Sequence, residues 1–182
     1  MAAIRAEEEY LLDKKLEVVA GELLTSLGMT VALAESCTGG LLGDMLTDVP
    51  GSSAYFLGGV VAYHDDLKTA LLDVPPAVIR QYGAVSAECA LLMARGVRGI
   101  TGADIGISIT GVAGPGGGTE AKPVGTVYIG MVGQDVEKVE RFCWHGDRRS
   151  NKHHSVDAAL QMLIAYLEQK AKDPTGYVMH DA

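Results

Sequence analysis

A chain of 182 residues suits one domain, and with 48% of them hydrophobic it has the material for a sizeable core. A formal charge of −8 with no basic block argues against nucleic acid as a partner, since such binding rests on clustered Lys and Arg. There is no signal-peptide core, no run of membrane-spanning length and no CxxC pair among Cys37, Cys89 and Cys143, so the expectation is a soluble, cytoplasmic protein with reduced thiols.

In chain order, residues 8–27 place Leu12, Leu16, Val19, Leu23 and Leu27 on one face of a helix, with glutamates near its start and Gly28 to end it. A buried strand follows over 30–34, then the turn Ala34-Glu35-Ser36-Cys37-Thr38-Gly39-Gly40 and a helix to about Thr47. Asp48-Val49-Pro50-Gly51-Ser52-Ser53 breaks the chain. A second strand is predicted from Gly58 to Tyr63, a short helix to Leu72 and another from Pro76 to Tyr82. Ser86 caps a helix through about Ile100, and Ala103–Ile109 reads as a third strand. The glycine-dense stretch 110–123 leads into strands 124–132 and 136–143, joined as a hairpin by Gly133-Gln134-Asp135. A last helix spans 150–170, and residues 1–7 and 172–182 read as frayed tails. Early alternation of strand and helix with a late hairpin predicts one domain, a three-layer α/β/α sandwich with a mixed sheet.

Ser36 and Thr38 lie at a strand-to-helix turn, where the first amides of the helix are free to meet a ligand. On the turn alone, serine or threonine there is more commonly an N-cap than a catalytic group. Two strands end in polar turns, at Ser36 and Tyr63, and a third runs into the glycine loop at Thr110. Ligands in open α/β sheets bind beyond the carboxyl ends of strands, which predicts a shared pocket. Lys68 lies five residues after Tyr63. It serves a serine as base only if burial lowers its pKa from about 10.4 toward 7–8; otherwise it is an exposed helix lysine paired with Asp65. The loop Gly111–Gly118 either cradles a phosphate through its amides or is a mobile surface loop. It is neither a Walker A nor a dinucleotide fingerprint. Arg148 and Arg149 open the last helix against the dipole preference, which favours anion binding over a solvated helix start. His153 and His154 are helix neighbours and make a poor metal pair. His64 on its strand points away from Tyr63. Cys37 is a rival nucleophile, or a small buried residue.

Together these pieces resemble the CinA C-terminal domain family, whose characterised enzymes are nicotinamide-nucleotide amidohydrolases. The resemblance runs from about Val31 to Leu167. It is carried by Ala34–Gly40, Pro50-Gly-Ser-Ser53, Tyr63 and Lys68, Tyr82-Gly-Ala-Val-Ser86, Thr110-Gly-Val-Ala-Gly-Pro115, Lys122-Pro-Val-Gly-Thr126 and Gly146-Asp-Arg148. It implies hydrolysis of the carboxamide of nicotinamide mononucleotide to the nicotinate nucleotide and ammonia, with Ser36 as nucleophile, Lys68 and Tyr63 as its activating partners, and no metal or cofactor. It further implies substrate contacts at Glu35, Thr38, Gly39, Gly40, Ser53, Thr110, Gly111, Gly114 and Arg148. Amides from Thr38 to Gly40 would receive the oxyanion, and the glycine loop with Arg148 would hold the phosphate.

The chain departs from many relatives at His64-Asp65, where they carry Ser or Thr and then Asn. An added carboxylate near Lys68 favours the charged lysine. This leaves two rivals: a serine amidohydrolase for another small amide, and a nucleotide-binding or interaction module without turnover. The longer members carry an N-terminal partner domain, and this chain is expected to stand alone. Self-association is expected, as for many small enzymes, but no stripe in the sequence locates an interface.

Overall fold

The computed structural model describes residues 14–172. Within them β1 (Val31–Glu35), β2 (Phe56–Val61), β3 (Ile105–Gly111), β4 (Thr126–Val132) and β5 (Glu137–Cys143) form one sheet in the order β2-β1-β3-β4-β5. β1 runs parallel to both β2 and β3, whereas β3, β4 and β5 pair antiparallel, so the sheet is mixed as expected. The helices are α1 (Leu16–Leu27), α2 (Leu41–Thr47), α3 (Asp65–Leu72), α4 (Pro76–Tyr82), α5 (Ala87–Thr101) and α6 (Arg148–Lys172), with a 3-10 turn at Ser52–Ala54.

Two cores separate the layers. Leu24 of α1, Leu46 of α2 and Leu163 of α6 pack on Leu33, Ile107 and Ile129 from one face. Leu72 of α3 with Met93 and Val97 of α5 cover Ala32 and Ala34 on the other, where Ile79 of α4 joins them. Residues 32, 33 and 34 thus alternate between the two cores, the period-2 signature of a strand. Helices on both faces bury all five residues of β1, which explains its uninterrupted run of apolar residues before Glu35. α5 lies very close to the sheet because Gly130 has no side chain: a Cβ there would stand 2.7 Å from the Ala90 carbonyl oxygen. The Ser108 hydroxyl donates to that same carbonyl at 2.5 Å.

Several boundaries move. α1 begins at Leu16 after an extended Lys15; the part of the expected helix before residue 14, with Leu12 and the glutamates, lies outside the described residues. So do the predicted tails 1–7 and 173–182, while Lys172 is the last residue of α6. β2 ends at Val61, two residues short of the expected Tyr63. The Ala62 N–H still donates to Glu35 O at 2.8 Å, but His64 then starts α3, its Nδ1 accepting from the Asp66 N–H at 3.3 Å. β3 starts two residues late because Asp104 is tied sideways to Thr30, accepting from its N–H and its hydroxyl, both at 2.7 Å. α6 starts two residues early, since Asp147 accepts from the Ser150 N–H at 2.7 Å and caps it.

Candidate active site

The parallel strands β1, β2 and β3 end at the same edge of the sheet, and the candidate residues gather there. Ser36 immediately follows β1, and its N–H donates to Ile109 O at 2.9 Å, fixing the turn against β3. The chain reverses through Gly39 and Gly40, with φ of +66° and +96°, values that favour glycine. This turn brings α2 back over Glu35. The buried carboxylate of Glu35 accepts from the N–H groups of Gly40 at 3.0 Å, Leu42 at 3.2 Å and Gly43 at 2.9 Å. The anion at this helix start is therefore the chain's own side chain, which satisfies the helix's orphan donors.

That arrangement corrects three sequence expectations. Glu35 is a helix cap instead of a substrate contact. The Gly40 amide is bound to Glu35 and the Gly39 amide donates to Ser36 O at 3.1 Å, so neither is available to an oxyanion. Glu35→Ala would leave three donors without their acceptor. It is expected to cost about 2–4 kcal/mol of stability, read as a lower urea midpoint at unchanged slope.

Lys68 is 1% exposed, pointing inward from α3. Its ammonium donates to Ala62 O at 3.0 Å and to Asp65 Oδ1 at 3.2 Å. Of the two sequence readings, the pairing with Asp65 is real but the exposure is not. Tyr63 is 58% exposed, and its hydroxyl accepts from Arg148 Nη2 at 2.7 Å while Arg148 Nη1 donates to Gly114 O at 2.7 Å. One guanidinium thus ties the end of β2, the glycine loop and the start of α6 together. Thr110 Oγ1 donates to Ala84 O at 2.8 Å, so this side chain positions the 84–85 segment.

A cavity of about 270 Å³ opens between these groups. Ser36, Tyr63, Lys68, Thr110, Gly111, Gly114 and Arg148 all line it, together with Cys37 and Asp65. A second cavity of about 550 Å³, also lined by Arg148 and Ala113, adjoins it.

Besides Glu35, Gly39 and Gly40, two more expected residues stay outside. Thr38 is fully buried with an unpaired hydroxyl and lines neither cavity. Ser53 lies before β2, at the amino end of that strand, while the cavity lies past its carboxyl end. Six extended residues separate the two ends, on the order of 20 Å.

Burial pushes the Cys37 thiol up to about 12, only partly offset by its own backbone, so it stays protonated at neutral pH and is a poor nucleophile. His64 is exposed and spends Nδ1 on the α3 cap. His153 and His154 are exposed, the latter against Trp144, and among the described residues no group of three His, Cys, Asp or Glu could hold a metal ion. Lys152 escaped the sequence reading. It lies one turn after Arg148, its ammonium 3.9 Å from where a side chain on Gly39 would begin, and it forms no ion pair among the described residues. The i, i+4 spacing of Arg148 and Lys152 was the signal available.

A mixed sheet with helices on both faces, carrying a serine, a buried lysine and a glycine loop at one end of its strands, defines a single α/β domain with a polar cavity beyond its parallel strands. The chain belongs to the CinA C-terminal domain family, whose model matches residues 13–167. It is 52% identical over 151 residues to a CinA-like protein of Desulfotalea psychrophila, covering 83% of this chain and 37% of that one. A CinA-like protein of Chlorobaculum tepidum is 52% identical over 159 residues, covering 85% and 38%. The chain therefore spans about two fifths of the length of these relatives. Among solved structures, the competence/damage-inducible protein CihA of Agrobacterium tumefaciens superposes with a TM-score of 0.80 at 37% identity, covering 84% of this chain and 95% of that one. A CinA superfamily protein from Klebsiella pneumoniae superposes at 0.81 with 30% identity, covering 86% and 99%. No helix among the described residues is long and apolar enough to cross a membrane.

Proposed function

We propose that this domain is an amidohydrolase that converts nicotinamide mononucleotide to nicotinate mononucleotide and ammonia. The observation that carries the reading is the joint presence of Ser36 and the buried Lys68 in one cavity with Tyr63 and Arg148. A nucleophilic hydroxyl needs a base within reach, and a lysine enclosed by protein on a serine-lined cavity is the arrangement that supplies one. Ser36 Oγ attacks the carboxamide carbon and Lys68, acting as the uncharged amine, accepts its proton, with the Tyr63 hydroxyl fixing the path between them. The oxyanion falls to the amide of Cys37, which lines the cavity and forms no hydrogen bond to a carbonyl among the described residues. Lys68 returns the proton to the departing ammonia, and water then hydrolyses the acyl-serine by the same route, so one amide and one water become one carboxylate and one ammonium ion.

The nucleotide phosphate is assigned to the cationic side of the cavity. Arg148 already donates to Tyr63 and Gly114, so its role is shared between anchoring and holding Tyr63 in place. Lys152 stands at the Gly39 turn, outside the lining of either cavity, and is assigned a share of phosphate binding from there. Lys152→Ala is expected to raise KM about tenfold with kcat nearly unchanged, whereas Arg148→Ala should change both. An unchanged KM in both variants would remove the phosphate from this side.

A second reading rests on Asp65. Its carboxylate contacts the Lys68 ammonium at 3.2 Å, so the lysine already has a partner within the protein. On that reading the cavity binds a nucleotide without turning it over. Incubation with nicotinamide mononucleotide separates the two: ammonia release supports the enzyme, while thermal stabilisation by the nucleotide without ammonia supports the binder.

A further inference from the structure

Three of the residues that line the cavity of about 270 Å³ carry charge: Lys68, Arg148 and Asp65. Asp65 is the one carboxylate among them, and neither the serine chemistry nor the phosphate assignment uses it. It opens α3, where an acidic residue suits the helix dipole. Asp66 beside it already fills that role with its side chain in solvent. Asp65 turns the other way. Its Oδ1 accepts from the Lys68 ammonium at 3.2 Å, while half of its side chain stays open. The same nitrogen donates to Ala62 O at 3.0 Å. An ammonium has three donors, so the protein takes two and leaves one for whatever enters the cavity.

We infer that Asp65 is a specificity residue: its carboxylate holds the place beside Lys68 that the product's carboxylate would otherwise take, so the site binds the amide in preference to the acid. The inference rests on the proposed deamidation. Substrate and product there share the phosphate, the ribose and the cationic ring, and differ only in the group presented to Ser36 and Lys68. The amide is neutral and brings N–H donors, which a carboxylate oxygen can accept. The acid is ionised at neutral pH. It would bring a second anion against one that is already paired with the lysine. Placing a like charge against the wrong ligand is a general route to specificity. The other cation offers the acid no refuge, because Arg148 already donates from Nη1 to Gly114 O and from Nη2 to the Tyr63 hydroxyl. The consequence for turnover is release: acid formed beside Asp65 is expelled, and accumulated product inhibits weakly.

A carboxylate that merely packed Lys68 in place would act on both nucleotides alike. The ratio of their affinities therefore separates the two roles. Asp65→Asn keeps the size of the side chain and an oxygen for Lys68, and removes only the charge. Titration calorimetry is run with nicotinate mononucleotide and, in a Ser36→Ala background where substrate is not consumed, with nicotinamide mononucleotide. Asp65→Asn is expected to lower the Kd for the acid about tenfold and to leave that for the amide within about twofold. With Ser36 intact, the product-inhibition constant should fall by the same factor as the Kd for the acid. Asp65→Glu should keep the preference for the amide. Asp66→Asn removes the same charge from a side chain outside the lining of this cavity, and should leave both constants unchanged.

An affinity ratio that is the same in the parent and Asp65→Asn, or that Asp66→Asn shifts as much, overturns the inference. Ammonia release from nicotinamide mononucleotide by the parent is read separately. Release with an unchanged ratio removes only the role of Asp65. No release, with neither nucleotide bound, removes the proposed function and this role with it.

Discussion

Ser36→Ala is expected to lower kcat for ammonia release from nicotinamide mononucleotide by at least about 10⁴-fold, with the folded protein still binding the nucleotide. The size follows from the role: without the hydroxyl there is no acyl-enzyme, and the remaining groups only orient the amide toward water. The neighbouring thiol offers no escape. Cys37 lines the same cavity, but its burial keeps it protonated, and a thiol raised to about 12 is ionised in a negligible fraction of molecules at pH 7 to 8. Cys37→Ala should therefore retain kcat within severalfold. Steady-state ammonia assays on both variants, with dichroism to confirm folding, decide the matter. Activity that survives Ser36→Ala but is lost in Cys37→Ala would reverse the assignment of the nucleophile.

What could be read from the sequence here was what depends on local pattern. β1, β3 and β4 announced themselves through buried apolar runs, and most helices through a turn residue at one end. The convergence of Ser36, Tyr63 and Thr110 followed from the rule that parallel strands share their carboxyl edge. The errors came from groups whose partners lie across a turn. Glu35 read as a polar residue beside a nucleophile, yet three amides on a helix that begins six residues later claim its carboxylate. Gly39 and Gly40 read as open donors, although the turn they permit is what closes them. Ser53 shares a family motif but precedes β2, and only the direction of that strand reveals that it lies at the far end from the cavity. Lys152 needed the helix frame of α6 and the return of the Gly39 turn toward it. Neither is visible in a linear order that separates them by over a hundred residues.

Lys68→Met separates a catalytic lysine from a structural one. The methionine keeps most of the apolar stem that fills the site, and it removes only the ammonium. Three groups feel the loss. The Ala62 carbonyl gives up one hydrogen bond, worth about 1 kcal/mol. Asp65 gives up its ion pair, but its carboxylate is half exposed and regains water. The third is favourable: an ammonium held out of water is replaced by an apolar group of similar volume, a change that is often neutral or stabilising. These contributions nearly cancel, so the urea midpoint should shift by no more than about 1 kcal/mol in equivalent stability. Catalysis has no such compensation, since the proton of Ser36 would have no acceptor and the leaving ammonia no donor. On the proposed mechanism kcat is expected to fall by about 10³-fold or more with KM changed little, because there the lysine acts on the reacting amide and the phosphate is held elsewhere. A midpoint that collapses while the residual folded fraction keeps its turnover number would make Lys68 a packing and pairing residue. The base would then have to be sought in Tyr63 and its guanidinium neighbour Arg148.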